Sequence, residues 1–252
     1  MVLLSFLVVT GCSRRDILDD YPVSGVEVRL DWSGVTEKLP EGVRIIFYPK
    51  DEKGRKIDTY LSVTGGEVKV PSGHYAVVIY NYDTETVLIR GEESYETIQA
   101  YTNFCKLGIA GTEKMVWGPD PLYVVNIDDL DIQNSEETLI LKLKPKLVIR
   151  TYSFSIKVQG LSNVSNVIGS IGGMADHYFL GKAYAMCDDY PINIDLNVKA
   201  GKIEGVFTTF GLPEAIITRL EIKLPVMMNL MIIKVDNSVQ EVKINITEAV
   251  QE

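Results

Sequence analysis

Catalysis or metal binding in this chain would have to be built from a short list of groups. The list holds two histidines, His74 and His177, two small carboxylate clusters and three cysteines, Cys12, Cys105 and Cys187. Histidine is the commonest general base, yet no Gly-x-Ser-x-Gly elbow, phosphate loop or His-Glu-x-x-His helix accompanies either one. His74 lies in "PSGHYAVVIYN", which reads as a strand with Ala76, Val78 and Tyr80 on the histidine's face. A lone strand histidine reads as structural. Asp128, Asp129 and Asp131 in "NIDDLDIQNSEE", and Asp188 and Asp189 in "CDDYP", are the available carboxylates. Neighbouring strand residues point to opposite faces, so these do not form a working acid–base pair and read as solvated loops. The first cluster is oxygen-rich enough for calcium, but its spacing matches no EF-hand. Cys105 and Cys187 stand far apart without metal-ligand spacing, which predicts buried thiols rather than a disulfide or zinc site. No catalytic residue, metal or cofactor is expected.

Cys12 is different. It follows an apolar run, Val2 to Val9, far short of the roughly 20 residues that span a bilayer. That length suits the apolar core of a secretory signal, although no Lys or Arg precedes it. Val9-Thr10-Gly11-Cys12 resembles the lipobox of bacterial lipoproteins, where the signal is cut before the cysteine and acyl chains are attached. Several chains, at about 0.8 kcal/mol per buried methylene, hold a protein durably on a membrane. The expectation is a signal peptide over 1–11, a lipidation site at Cys12 and a short charged tether to residue 21.

The elements behind these groups read as β-structure. In "VEVRLDW", Val26, Val28, Leu30 and Trp32 alternate with Glu27, Arg29 and Asp31. "RLEIKLP" (219–225) and "VKINIT" (242–247) repeat the pattern, the second with Val242, Ile244 and Ile246 on one side. Period-two alternation marks strands with one buried and one wet face. Turn signals such as Gly65-Gly66, Pro71-Ser72-Gly73 and Asp236-Asn237-Ser238 separate them. "SYETIQAYTNF" spaces Tyr95, Ile98 and Tyr101 three apart, as a short helix or an ordered loop would. "NVSNVIGSIGGMADHYF" is read as a strand despite Gly169, Gly172 and Gly173. Pro145 interrupts two alternating runs and cannot serve a central strand. The predicted fold is therefore all-β, with β-sandwich domains over 22–145 and 146–252.

Composition narrows the partners. Of 252 residues, 46% are hydrophobic and 23% charged, as in a globular protein with a sizeable core. A net charge of −9 argues against nucleic acid, because phosphate binding needs concentrated Lys and Arg. Aromatics could anchor a protein or stack on a sugar. Tyr75, Tyr80 and Tyr82 crowd one hairpin, and Trp117 stands beside two prolines. Core or corner packing is the simpler role for each.

Several blocks then carry a resemblance. The cysteine followed by "RRDILDDY", "LPEGVRIIFYPKDEKG", "GGEVKVPSGHYAVVIYNYDTETVLIRG", "GGMADHYFLGKA" and "GKIEGVFTTFGLP" together resemble Bacteroidetes lipoproteins related to fimbrillin and minor-fimbria anchor proteins. The resemblance runs from Cys12 to "VKINITEAV". It implies two transthyretin-like (Greek-key) β-sandwiches tethered to the outer membrane by lipid, and a non-enzymatic part in building or anchoring fimbriae. Arg14 and Arg15 sit too close to Cys12 to mark removal of a first strand, which suits a retained anchor or accessory subunit. "SRRD" lacks the acidic run typical of surface-exposed lipoproteins, so the face of the membrane stays open. The partners implied are the outer membrane and fimbrial subunits. The run ending in Val242, Ile244 and Ile246 is either a partner-strand participant or an internal edge strand. The alternative function is a glycan-binding outer-membrane lipoprotein, which coplanar exposed aromatics on one face would favour.

Overall fold

The structure, a computed structural model, describes residues 23–52, 54–105, 114–188, 190–199, 201–214 and 225–250. Eighteen strands and two short 3₁₀ turns, Leu161–Asn163 and Glu248–Val250, make up their regular structure. The all-β expectation holds.

The first strands are β1 (Val23–Leu30), β2 (Gly42–Pro49), β3 (Ile57–Ser62), β4 (Gly65–Pro71) and β5 (Gly73–Asn81). With β8 (Tyr123–Ile132), β9 (Leu139–Leu143) and β10 (Lys146–Leu147) they form one sheet, ordered β10-β8-β5-β2-β3-β4-β1-β9. Pairing is antiparallel except between β1 and β9. β3 and β4 share one residue pair, Ser62 with Gly65, so the sheet is free to bend there. Bend it must, because Phe47 and Ile79 from one end share a core with Val26 and Val70 from the other. β2 and β5 are buried on both faces. Val43, Ile45, Phe47, Val77 and Ile79 fill the inside of the bend, while Ile46, Tyr48, Val78 and Tyr80 fill a second cluster outside it. Their near-continuous apolar sequences are what double burial requires.

A four-stranded sheet covers that second cluster. It comprises β6 (Val87–Arg90), β7 (Gln99–Thr102), β13 (His177–Phe179) and β14 (Tyr184–Met186), in the order β14-β13-β7-β6. Two of its strands come from each side of Pro145. Of the two readings of "SYETIQAYTNF", the ordered loop holds for its first part, with turns over 92–97, and the strand β7, which neither reading gave, follows. Tyr95 and Ile98 are buried in the turn, whereas Tyr101 points away from buried Ala100 and Thr102. The three-residue spacing thus joined two different elements.

The remaining strands are β11 (Arg150–Lys157), β12 (Val164–Gly172), β15 (Ile192–Lys199), β16 (Lys202–Thr209), β17 (Met227–Lys234) and β18 (Val239–Asn245). They form an antiparallel sheet ordered β11-β16-β15-β12-β17-β18. Only three pairs join β15 to β12, and this is the second bend. Tyr152, Phe154 and Phe207 from one half meet Met228, Leu230 and Ile244 from the other. Gly169 sits at the corner, where a Cβ would come within 3.0 Å of Ile194 and Leu196. β12 is a strand as expected, with its irregularity at Val164 and Asn166 rather than at a glycine. The strand expected over 219–225 falls almost wholly on 219–224, outside the described residues.

Candidate partner interface

The two bent sheets differ most at their edges. The eight-stranded sheet ends in β10, two residues long, and β9, five residues long; the six-stranded sheet ends in β11 and β18, eight and seven residues long. β18 pairs with β17 from Met227–Asn245 to Ile233–Val239. Val242, Ile244 and Ile246 are half-buried against the second core, and Glu241, Lys243 and Asn245 are exposed. Bonds from Lys234 N–H to Ser238 C=O and from Ile246 N–H to Val226 C=O, both 2.9 Å, bracket this ladder. Antiparallel alternation then assigns the even-numbered residues of β18 to β17. Glu241, Lys243 and Asn245 turn their N–H and C=O groups outward, toward whatever lies beyond the sheet. Such a row is a template for another strand.

The groups that could do chemistry are held elsewhere. His74 is exposed at the start of β5, with Nδ1 3.3 Å from Asp129 Oδ1 and Nε2 3.8 Å from Asp131. Lys50 Nζ lies 3.1 Å from the same Asp129 oxygen, and its hydrogen bond, with that of His74, holds the Asp129 carboxyl below its ordinary range. These aspartates are not in a loop, as the spacing suggested, but on β8. The pairing of β8 with β5 slips between Tyr75 and Val77, a bulge that leaves both Asp128 and Asp129 between Ile127 and Leu130. Asp128 accepts the Tyr95 hydroxyl at 2.8 Å.

His177 is buried, with Nδ1 2.6 Å from Asp176 Oδ1. Asp176 Oδ2 accepts the backbone N–H groups of Asp188, at 2.9 Å, and Tyr190, at 3.4 Å. Asp176, His177 and Asp188 bring ligand-type atoms within 4.8 Å of one another. Both Asp176 oxygens already have donors, however, and the Arg90 guanidinium is 3.9 Å from Asp188. The trio therefore clamps the segment after β14 to the start of β13. Asp176 was not singled out in the sequence; its adjacency to His177 in "MADHYF" was the only signal. Cys105 and Cys187 form no disulfide, and burial pushes the Cys105 thiol up to about 11, which disfavours the reactive thiolate.

Two pairs of exposed rings lie on the surface. Tyr60 and Tyr82, 61% and 44% exposed, meet edge to face at 5.2 Å and 86°. Phe104 and Tyr190 do the same at 5.0 Å and 84°. Neither pair makes a flat stacking surface. Tyr75 and Tyr80 are core residues, while Trp117 is exposed. Cys12 lies outside the described residues.

Known proteins share this arrangement. The DUF5119 family, described as a domain of unknown function, matches residues 11–195. The chain belongs to this family. A Bacteroides ovatus protein named "Putative fimbrium anchoring subunit Fim4B" is 52% identical over 99% of this chain and 78% of its own length. A Bacteroides ovatus crystal structure described as a "putative adhesin" is 52% identical and superposes with a TM-score of 0.86, over 97% of this chain and 90% of that one. The fimbrial anchor protein Mfa2 of Porphyromonas gingivalis shares the fold at 13% identity and a TM-score of 0.56, covering 91% of this DUF5119 chain and 84% of Mfa2. The resemblance to fimbrial anchor proteins drawn from the sequence is borne out.

Proposed function

We propose that this chain is a non-enzymatic subunit of the cell envelope that is anchored by lipid at Cys12 and holds a fimbrial assembly at the outer membrane. The observation that carries the reading is the 52% identity, over almost the whole chain, to the Bacteroides ovatus protein named as an anchoring subunit. The long outward-facing edge of β18 supports it, because strand addition supplies main-chain hydrogen bonds to a partner. The edge-on exposed tyrosines favour it over the glycan-binding alternative. Residues 22–145 and 146–252 each build a core inside their own bend, which supports two domains, and the four-stranded sheet with the cluster beneath it joins them.

Cys12→Ala tests the anchor. Lipid labelling should be lost, and fimbriae should be shed into the medium rather than kept on cells. A variant that still carries covalent lipid, or that keeps its fimbriae, would overturn the reading. Glu241→Pro tests the edge, since it removes an outward N–H while sparing the ladder to β17. The variant should stay folded and lose retention of fimbrial subunits in membrane fractions; unchanged retention would move the contact away from Val242, Ile244 and Ile246.

A further inference from the structure

A pocket of about 130 Å³ opens on the outer face of the six-stranded sheet, beside β18. The register sets Ser170, Asn229 and Lys243 in one cross-strand row and Ile168, Met231 and Glu241 in the next. Buried Met115, from another part of the chain, completes the lining. Inside it, Asn229 Oδ1 is fully buried and accepts no hydrogen bond, alone among the side-chain atoms of the described residues. Leaving such an acceptor unmade costs about 1–3 kcal/mol, so the site is built to receive a donor.

The lining says which donor. A cavity of about 150 Å³ holds benzene, so the space of about 130 Å³ within this mixed polar and apolar lining is close to that of one aromatic ring. Met115 and Met231 offer sulfur contacts that favour aromatic guests. Glu241 and Lys243 stand side by side with opposite charges, so a cationic guest drawn to one is repelled by the other. A neutral ring with a hydroxyl tip answers all three conditions. Distance agrees: a strand added to the free edge of β18 would lie about 10 Å from β17, two strand spacings away. A tyrosine can cross that gap; valine, threonine or leucine cannot.

We propose that this pocket receives a tyrosine side chain from a partner subunit's strand added along β18, its lining shifting to admit the hydroxyl to Asn229 Oδ1, which is closed to solvent in the free chain. The main chain of the added strand supplies affinity, and the tyrosine sets register and partner choice. The inference rests on the reading of β18 as the partner edge.

Two synthetic eight-residue peptides of alternating threonine and valine, one with a central tyrosine and one with phenylalanine there, separate the two claims. Binding to the full chain is read by fluorescence anisotropy. The tyrosine peptide should bind about tenfold more tightly, the worth of one hydrogen bond to a buried acceptor. Asn229→Leu should erase that preference and leave the phenylalanine peptide bound as before; Asn229→Ser replaces it if the leucine variant does not fold. Equal binding of both peptides, or a preference that survives Asn229→Leu, would show that the pocket serves only a water. That result would leave the β18 edge standing. If neither peptide binds, or if Glu241→Pro leaves binding unchanged, the edge itself is refuted and the tyrosine site with it.

Discussion

The eight-stranded sheet closes on short edges and sandwiches β2 and β5 between two cores, whereas the six-stranded sheet, among the described residues, keeps one face wet and two long edges open. Both begin as a single ladder that bends where few pairs connect its halves, between β3 and β4 in one and β12 and β15 in the other. The first region spends its backbone groups on itself. The second leaves a row of them available, a liability that natural proteins usually cover unless it has a use. The molecule thus divides into a part whose backbone groups are satisfied internally and a part that carries the edge proposed for contact.

The largest expected effect sharpens that division. Phe47 is fully buried and meets Tyr75 edge to face at 6.0 Å, so Phe47→Ala should cost about 3–5 kcal/mol in denaturant unfolding. Val242→Ala, at a half-buried edge position, should cost about 1 kcal/mol. Equal losses would break the comparison.

Acid should act next, and mainly on the first region. The Arg44 guanidinium bonds Asp58 at 2.9 and 2.7 Å, Glu92 at 2.6 Å and the Tyr80 hydroxyl at 2.7 Å, with its side chain only 16% exposed. Its hydrogen bonds hold the Asp58 carboxyl below the ordinary range. A depressed carboxyl stabilises the fold above its unfolded value, near 4, and that contribution fades as pH falls through the lower folded value. Thermal unfolding should therefore show stability falling as pH drops below about 4, and Asp58→Asn should flatten this part of the curve. An unchanged slope in the variant would deny Arg44 and Asp58 their role.

The smallest effect concerns the other open edge. Ser155 is exposed on β11, and Ser155→Lys should change stability by less than about 0.5 kcal/mol. It should also leave fimbrial subunit retention intact. Lost retention would transfer the contact from β18 to β11.

Much of the fold was legible because burial on one face writes itself into alternate residues. "VEVRLDW" and "VKINIT" became β1 and β18 with the expected residues inward, and the double burial of β5 is visible in "YAVVIYN". β7 was not legible, because four residues are too few for a period and a buried turn preceded them. The loop assigned to Asp128, Asp129 and Asp131 failed because polar residues on a wet strand face look like a loop from sequence alone.

Local chemistry was within the sequence's reach: the short apolar run before Cys12, the strand periodicity, the absence of recognisable catalytic motifs and the resemblance to fimbrial anchor proteins all lie in neighbouring residues. What lay beyond it depends on partners distant along the chain. The parallel pairing of β1 with β9, the sheet shared across Pro145, the Asp176 clamp and the Arg44 lock join segments that no local pattern links. The alternation of Val242, Ile244 and Ile246 could be read directly, but the free edge beside them could not, because an edge exists only once the whole strand order is set. The same holds for Asn229: its amide looks ordinary in "MMNLMII", and only packing by Met115 and two neighbouring strands leaves its oxygen buried without a donor.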